Sequence, residues 1–178
     1  PYFYVLSDSQ DLTFKPRFFE DDKSILQTEF RNVSKNTSSI ADFSFSSGHK
    51  SYRTDDKDSR SHLFAKSIID LNSKHYDKSN LNINFEKTTN DTYLKLFKLE
   101  SPLLIDRDLS TTTSHLKFTA SKKDLDIQSS VSMYEKLSGS NSDRYEFVLP
   151  DYNLSKTIDT DNYPGFLEFY SSGSYNIF

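Results

Sequence analysis

The chain has no cysteine and no tryptophan, and only four glycines and five prolines in 178 residues. Without cysteine there is no thiolate to ligate zinc, no cysteine nucleophile and no disulfide within these residues. No apolar run reaches the 18 or so residues that a membrane-crossing helix needs, and no signal-peptide pattern follows Pro1. A surplus of one charge is missing too. Lys and Arg number 22 against 26 Asp and Glu, a net charge of −4, which removes the bulk electrostatic case for a nucleic-acid partner. The four histidines, His49, His62, His75 and His115, show no paired metal-ligand spacing, so neither a metal nor another cofactor is expected. Asp55-Asp56-Lys57-Asp58 and Asp159-Thr160-Asp161 lack the glycine and distal Glu of a calcium loop.

What the chain does have is aromatic residues, 15% of the total, within a mean hydropathy of −0.69. Disordered chains lack aromatics, whereas sheets with one polar face tolerate both features. The pattern is clearest in residues 10–31. Leu12, Phe14, Pro16 and Phe18 leave one face of a strand while Thr13, Lys15 and Arg17 leave the other. After the acidic turn Glu20-Asp21-Asp22-Lys23, Leu26, Thr28 and Phe30 oppose Gln27, Glu29 and Arg31, completing an antiparallel hairpin.

The same period of two recurs along the chain. Ala41, Phe43 and Phe45 oppose Asp42, Ser44 and Ser46; residues 47–60 read as a long charged loop; Leu63 and Ala65 oppose His62 and Lys66. Leu81, Ile83 and Phe85 oppose Asn82, Asn84 and Glu86, and Tyr93 to Leu99 reads as a further strand. After an apolar connection at 101–109, Leu116 and Phe118 oppose His115 and Lys117, and Val131 and Met133 oppose Ser130 and Ser132. Tyr145, Phe147 and Leu149 oppose Glu146 and Val148 before Pro150, which ends or bulges its strand, and residues 165–178 close the series. No helical apolar period is sustained. The expected fold is all-β, an antiparallel meander of about ten long strands, roughly nine to eleven residues each.

An amphipathic sheet must cover its apolar face. A soluble sandwich covers it with a second sheet, a membrane barrel with lipid, and alternation alone does not choose between them. Long strands, connections of uneven length, and aromatics near strand ends (Tyr2, Tyr4, Phe18, Phe19, Tyr93, Tyr134, Tyr145 and Phe169) favour lipid, since an interfacial girdle places aromatics there.

Three stretches carry a family resemblance: Pro1-Tyr2-Phe3 with Asp11-Leu12-Thr13 and Pro16-Arg17, then Leu26-Gln27-Thr28-Glu29-Phe30-Arg31, then Ser142-Asp143-Arg144-Tyr145 with Leu149-Pro150, Pro164-Gly165, Gly173 and Tyr175. In these the chain resembles the LptD family, outer-membrane proteins that insert lipopolysaccharide into the outer leaflet. The resemblance implies that residues 1–178 are the first strands of a large transmembrane β-barrel in the cell outer membrane, with a periplasmic jelly roll before them and further strands after. It implies a lateral gate between first and last strands, weakened by prolines matching Pro1 and Pro16, and no enzymatic activity. It also implies lipopolysaccharide, an LptE-type lipoprotein plug, a periplasmic LptA-type bridge and the barrel-assembly machinery as partners. The family's jelly-roll disulfides have no counterpart here.

Within that frame Lys15, Arg17, Gln27, Glu29 and Arg31 face the lumen, along a path for phosphates and sugars to which arginine is suited; the plainer alternative is that they pair with one another. A closed porin or receptor, and a soluble all-β carbohydrate-binding module, remain the rival readings.

Overall fold

The computed structural model describes residues 1–19, 24–50, 57–103, 110–138, 144–160 and 164–178. The acidic turn at 20–23, Asp55 and Asp56, residues 104–109 of the apolar connection, Ser142-Asp143 and Asp161 lie outside the described residues. Ten strands form one antiparallel sheet, each paired with its sequence neighbours: β1 (Tyr2–Ser7), β2 (Gln10–Phe18), β3 (Ser24–Val33), β4 (Thr37–Lys50), β5 (Lys57–Asp70), β6 (Lys78–Thr88), β7 (Thr111–Lys122), β8 (Leu125–Lys136), β9 (Tyr145–Asp159) and β10 (Phe166–Ile177). This is the all-β meander that the period-two pattern predicts. β1 and β10 are the two edges of the sheet.

Two local expectations are corrected. The charged stretch 47–60 is mostly strand, because β4 continues to Lys50 and β5 begins at Lys57. A strand end that runs past the apolar band needs no apolar face, so alternation does not reveal it. Tyr93 to Leu99 is not a strand: Tyr93–Phe97 forms a short helix, α1. Asn90 starts it, its side-chain carbonyl accepting from the Thr92 backbone N–H at 3.1 Å and the Thr92 hydroxyl at 2.9 Å. Lys98, with φ of 46°, ends it in the left-handed conformation, and Leu99 N–H returns to Leu94 O at 3.1 Å. Pro150 bulges its strand without ending it. β9 runs through a cis Leu149–Pro150 bond, and the register shifts opposite it between Ser130 and Ser132 and between Ser174 and Asn176.

Register sorts side chains into rows. Lys15, Gln27, Ser44, His62 and Thr88 are successive partners across β2 to β6, and Thr13, Glu29, Asp42, Phe64 and Glu86 form the next such row. The opposite face carries Phe14, Thr28, Phe43 and Leu63 in one row and Leu12, Phe30, Ala41, Ala65 and Phe85 in another. Burial runs against the rule for water-soluble sheets. On the polar face Gln27, Asp42, Ser44, Ser46 and His62 are only 0–1% exposed, whereas on the apolar face Leu26, Phe43, Phe45, Leu63, Phe85, Leu116, Val131 and Leu149 are 38–47% exposed.

The polar face across β2 to β5 is covered by α1 and the residues that follow it. Tyr93, Leu94, Phe97 and Leu99 pack with Leu103 on Ile25 and Phe64, which interrupt the polar rows. Tyr93 meets Phe97 edge-on at 5.4 Å between ring centres, and Phe97 meets Phe19 at 5.6 Å. Tyr93 therefore sits fully buried beneath the helix and takes no part in a surface girdle. Phe64 and Ile25 are the buried strand residues of this cluster, and Phe64 is the larger. Phe64→Ala is expected to weaken the docking of α1 by about 3 kcal/mol, at the lower end for a buried aromatic. Amide hydrogen exchange should speed up at Leu96 and Lys98 and stay slow in β4 and β5; unchanged exchange in α1 would show that the helix is held by something else.

Candidate functional site

The polar face between β2 and β6 holds the densest cluster of buried polar side chains. Strand geometry builds it: alternate residues of four paired strands point to one side, so Lys15, Gln27, Ser44 and His62 stand abreast. Five residues predicted from sequence to line this face do lie on it. They are largely tied to one another and to the α1 segment. Lys15 Nζ reaches Glu29 Oε2 at 3.0 Å, while Arg31 Nε reaches Glu29 Oε1 at 2.9 Å and Asp11 Oδ1 at 3.4 Å. Gln27 donates to both oxygens of Asp42, at 3.0 and 3.1 Å, and to Glu100 O at 2.8 Å. Arg17 donates to Phe97 O at 3.4 Å and Lys98 O at 3.3 Å, placing a cation at the C-terminal end of α1, where the helix dipole favours positive charge.

Pro16 lies within β2 opposite Leu26, two residues beyond Phe14, the last β2 partner of β1. Pro1 directly precedes β1.

The centre of the face is a group that alternation alone does not single out. His62 Nδ1 is 2.6 Å from Ser44 Oγ, and His62 Nε2 is 3.1 Å from Asp42 Oδ2. Ser44 Oγ also shares a hydrogen bond with the Tyr93 hydroxyl at 2.8 Å. Burial pushes the Tyr93 pKa up, so its hydroxyl stays neutral and able to donate. The period of two puts Asp42, Ser44 and His62 on polar positions, but only the register brings them together, and register is not written in a single strand. A serine, a histidine and an aspartate joined in series can activate a hydroxyl nucleophile. Here all three are buried under α1, and no carbonyl can approach Ser44 Oγ while the helix is docked. The arrangement works instead as a polar anchor that fastens α1 through Tyr93.

Among the described residues, six buried polar atoms on this face have no hydrogen-bond partner in the protein: Thr13 Oγ1, Gln27 Oε1, Ser46 Oγ, Arg60 Nε, Asn82 Oδ1 and Thr88 Oγ1. Such groups cost about 1–3 kcal/mol each when kept dry. Among the described residues no group of His, Asp and Glu is arranged to hold a metal ion.

No protein-family model matches the chain, and no curated protein matches it.

Two substitutions separate the anchor from the packing around it. Tyr93→Phe keeps the ring and loses one hydrogen bond, so α1 should loosen by about 1 kcal/mol. Asp42→Ala leaves His62 Nε2 without its partner and Gln27 with only Glu100 O, and should cost about 3 kcal/mol. Urea-dependent exchange at the α1 amides measures both, and equal effects would contradict the anchor.

Proposed function

We propose that this chain is part of the wall of an outer-membrane β-barrel of the LptD kind, which passes lipopolysaccharide into the outer leaflet through a lateral seam bordered by β1. The observation that carries this reading is the inverted burial of the sheet. A predominantly apolar face lies bare through Leu26, Phe43, Leu63, Phe85 and Leu116, while the polar face around Gln27, Ser44 and His62 lies covered and keeps unpaired polar atoms. In water, so large a bare apolar surface is unstable without a second layer, and among the described residues α1 packs on the other side. In a bilayer the same arrangement is the stable one, with hydrocarbon against Phe43, Phe45 and Leu63 and water against Lys15, Glu29 and Arg31. Strand lengths of 14 or 15 residues in β4, β5 and β9 fit tilted spans that project beyond the hydrocarbon.

On this reading the amphiphile divides at the seam. Its sugars and phosphates travel along the wet face past Arg17 and Arg31, and its acyl chains slide sideways into lipid. Pro16 supplies no backbone donor, so strand pairing beside the β1 edge lacks a ladder bond that would resist opening. The barrel acts as a conduit without chemistry of its own. It receives its cargo from an LptA-type bridge, is plugged by an LptE-type lipoprotein, and is folded by the barrel-assembly machinery.

The experiment is site-specific photocrosslinking in living cells. A photoreactive residue at Arg31 should capture lipopolysaccharide, whereas one at Phe43 should capture phospholipid. Capture of a protein layer at Phe43 would instead support the soluble β-module. Replacing Pro16 with Ala restores a backbone donor worth on the order of 1 kcal/mol and should slow lipopolysaccharide export. Undiminished export in that variant removes Pro16 from the gate.

A further inference from the structure

On the apolar face the sheet opens between two of its strands. β6 and β7 pair only from Lys78↔Ser121 to Asn84↔His115, although β6 continues to Thr88 and β7 begins at Thr111. Past Asn84 the backbones separate, and side chains stand in for the ladder. Asn84 donates to Thr113 O at 2.7 Å, Thr113 N–H donates to Glu86 Oε2 at 2.8 Å, and Glu86 N–H donates to Ser114 Oγ at 3.0 Å. This keeps the backbone groups satisfied where hydrocarbon would penalise a bare one. The separation leaves a groove of about 270 Å³ on the apolar side, walled by Phe85, Leu116, Val131, Met133 and Phe147.

One end of the groove is charged. Two residues beyond Phe85, Met133 and Phe147, the same three strands carry Lys87, Glu135 and Tyr145. Glu135 is wholly covered. Its carboxylate receives Lys87 Nζ at 2.7 Å, Arg144 Nε at 2.9 Å and the Tyr145 hydroxyl at 3.1 Å. Arg144 is also bonded to Asp91 at 2.7 Å, and its two carboxylate partners raise its pKa further. The Lys87 side chain stays 40% exposed, with its ammonium 5.3 Å from the centre of the Tyr145 ring. Two of its three donors are spent on Glu135 and Tyr145. Lys87 and Arg144 balance Glu135 and Asp91, and of the two cations Lys87 is the more exposed, two residues beyond the groove residue Phe85.

We propose that this groove seats one acyl chain of an anionic glycerophospholipid, with the lipid phosphate against Lys87. The site rests on the membrane reading above and adds a specific lipid position to it. An aliphatic chain matches the unbroken apolar lining, and the third Lys87 donor matches a phosphate oxygen at the level where the strands turn polar.

The chain has no tryptophan, so single tryptophans report locally. Phe85→Trp places one in the groove wall, and Phe43→Trp places one on the same face away from it. Each variant is reconstituted into vesicles of unlabelled phosphatidylcholine doped with phosphatidylglycerol or phosphatidylcholine whose acyl chains are brominated, and quenching is followed against mole fraction. At Phe85→Trp, brominated phosphatidylglycerol should reach half-quenching at a mole fraction about fivefold lower than brominated phosphatidylcholine, the preference one surface lysine confers. At Phe43→Trp the two lipids should be equal. Adding Lys87→Gln should abolish the preference, and Lys87→Arg should keep it. Equal curves for both lipids at Phe85→Trp, with quenching intact at Phe43→Trp, would overturn the lipid seat alone. Absence of quenching at Phe85→Trp alone would likewise overturn only the lipid seat, and absence at both positions would overturn the membrane reading beneath it.

Discussion

The pairing register of the central strands, unbroken through the rows that cross β2 to β6, decides the rest of this molecule. Side chains leave a strand alternately to either side, so a slip of one residue within those rows would exchange the polar and apolar faces of the strand that slipped. The pairing Gln27↔Ser44↔His62 keeps buried polar groups abreast, and Thr28↔Phe43↔Leu63 does the same for the opposite face. Backbone ladder bonds hold the rows; the rows then create the surfaces.

The α1 helix is a consequence of those rows. The polar face alone offers few apolar contacts, but Ile25 and Phe64 interrupt it and give Tyr93, Leu94 and Phe97 a place to bury. Hydrogen bonds then fix position. The Tyr93 hydroxyl fastens to Ser44, Gln27 holds Glu100 O, and Arg17 holds the helix C-terminus. Because Arg17 belongs to β2 and Ser44 to β4, the helix ties the strand beside the β1 edge to the middle of the sheet. Any parting of strands at that edge therefore acts against a polar anchor as well as against the ladder.

Much of this was legible in the residues themselves. The alternation of Leu12, Phe14 and Pro16 with Thr13, Lys15 and Arg17, and its recurrence through Leu149, identifies the strands and which side chains share a face. It also puts Lys15, Arg17, Gln27, Glu29 and Arg31 on one surface. Several features escaped for physical reasons. Tyr-Leu-Lys-Leu-Phe at 93–97 alternates like a strand and equally spaces Tyr93 and Phe97 one helical turn apart, and five residues are too few for periodicity to decide. The Asp42, Ser44 and His62 cluster depends on register between strands up to 20 residues apart in sequence, which no single strand encodes. The shared apolar face likewise did not reveal that β6 and β7 part beyond Asn84.

The central claim is that the face bearing Phe43, Leu63 and Leu116 meets hydrocarbon. Spin labels on single cysteines, introduced one at a time into this cysteine-free chain in a reconstituted bilayer, measure it most directly through relaxation by oxygen and by a water-soluble nickel chelate. High oxygen and low nickel accessibility at Phe43, Leu63 and Leu116, with nickel accessibility restored at the polar-face position Arg31, is the predicted result. Labels at Phe43, Leu63 and Leu116 that are reached by neither reagent would place those side chains in a dry protein interior and contradict the account.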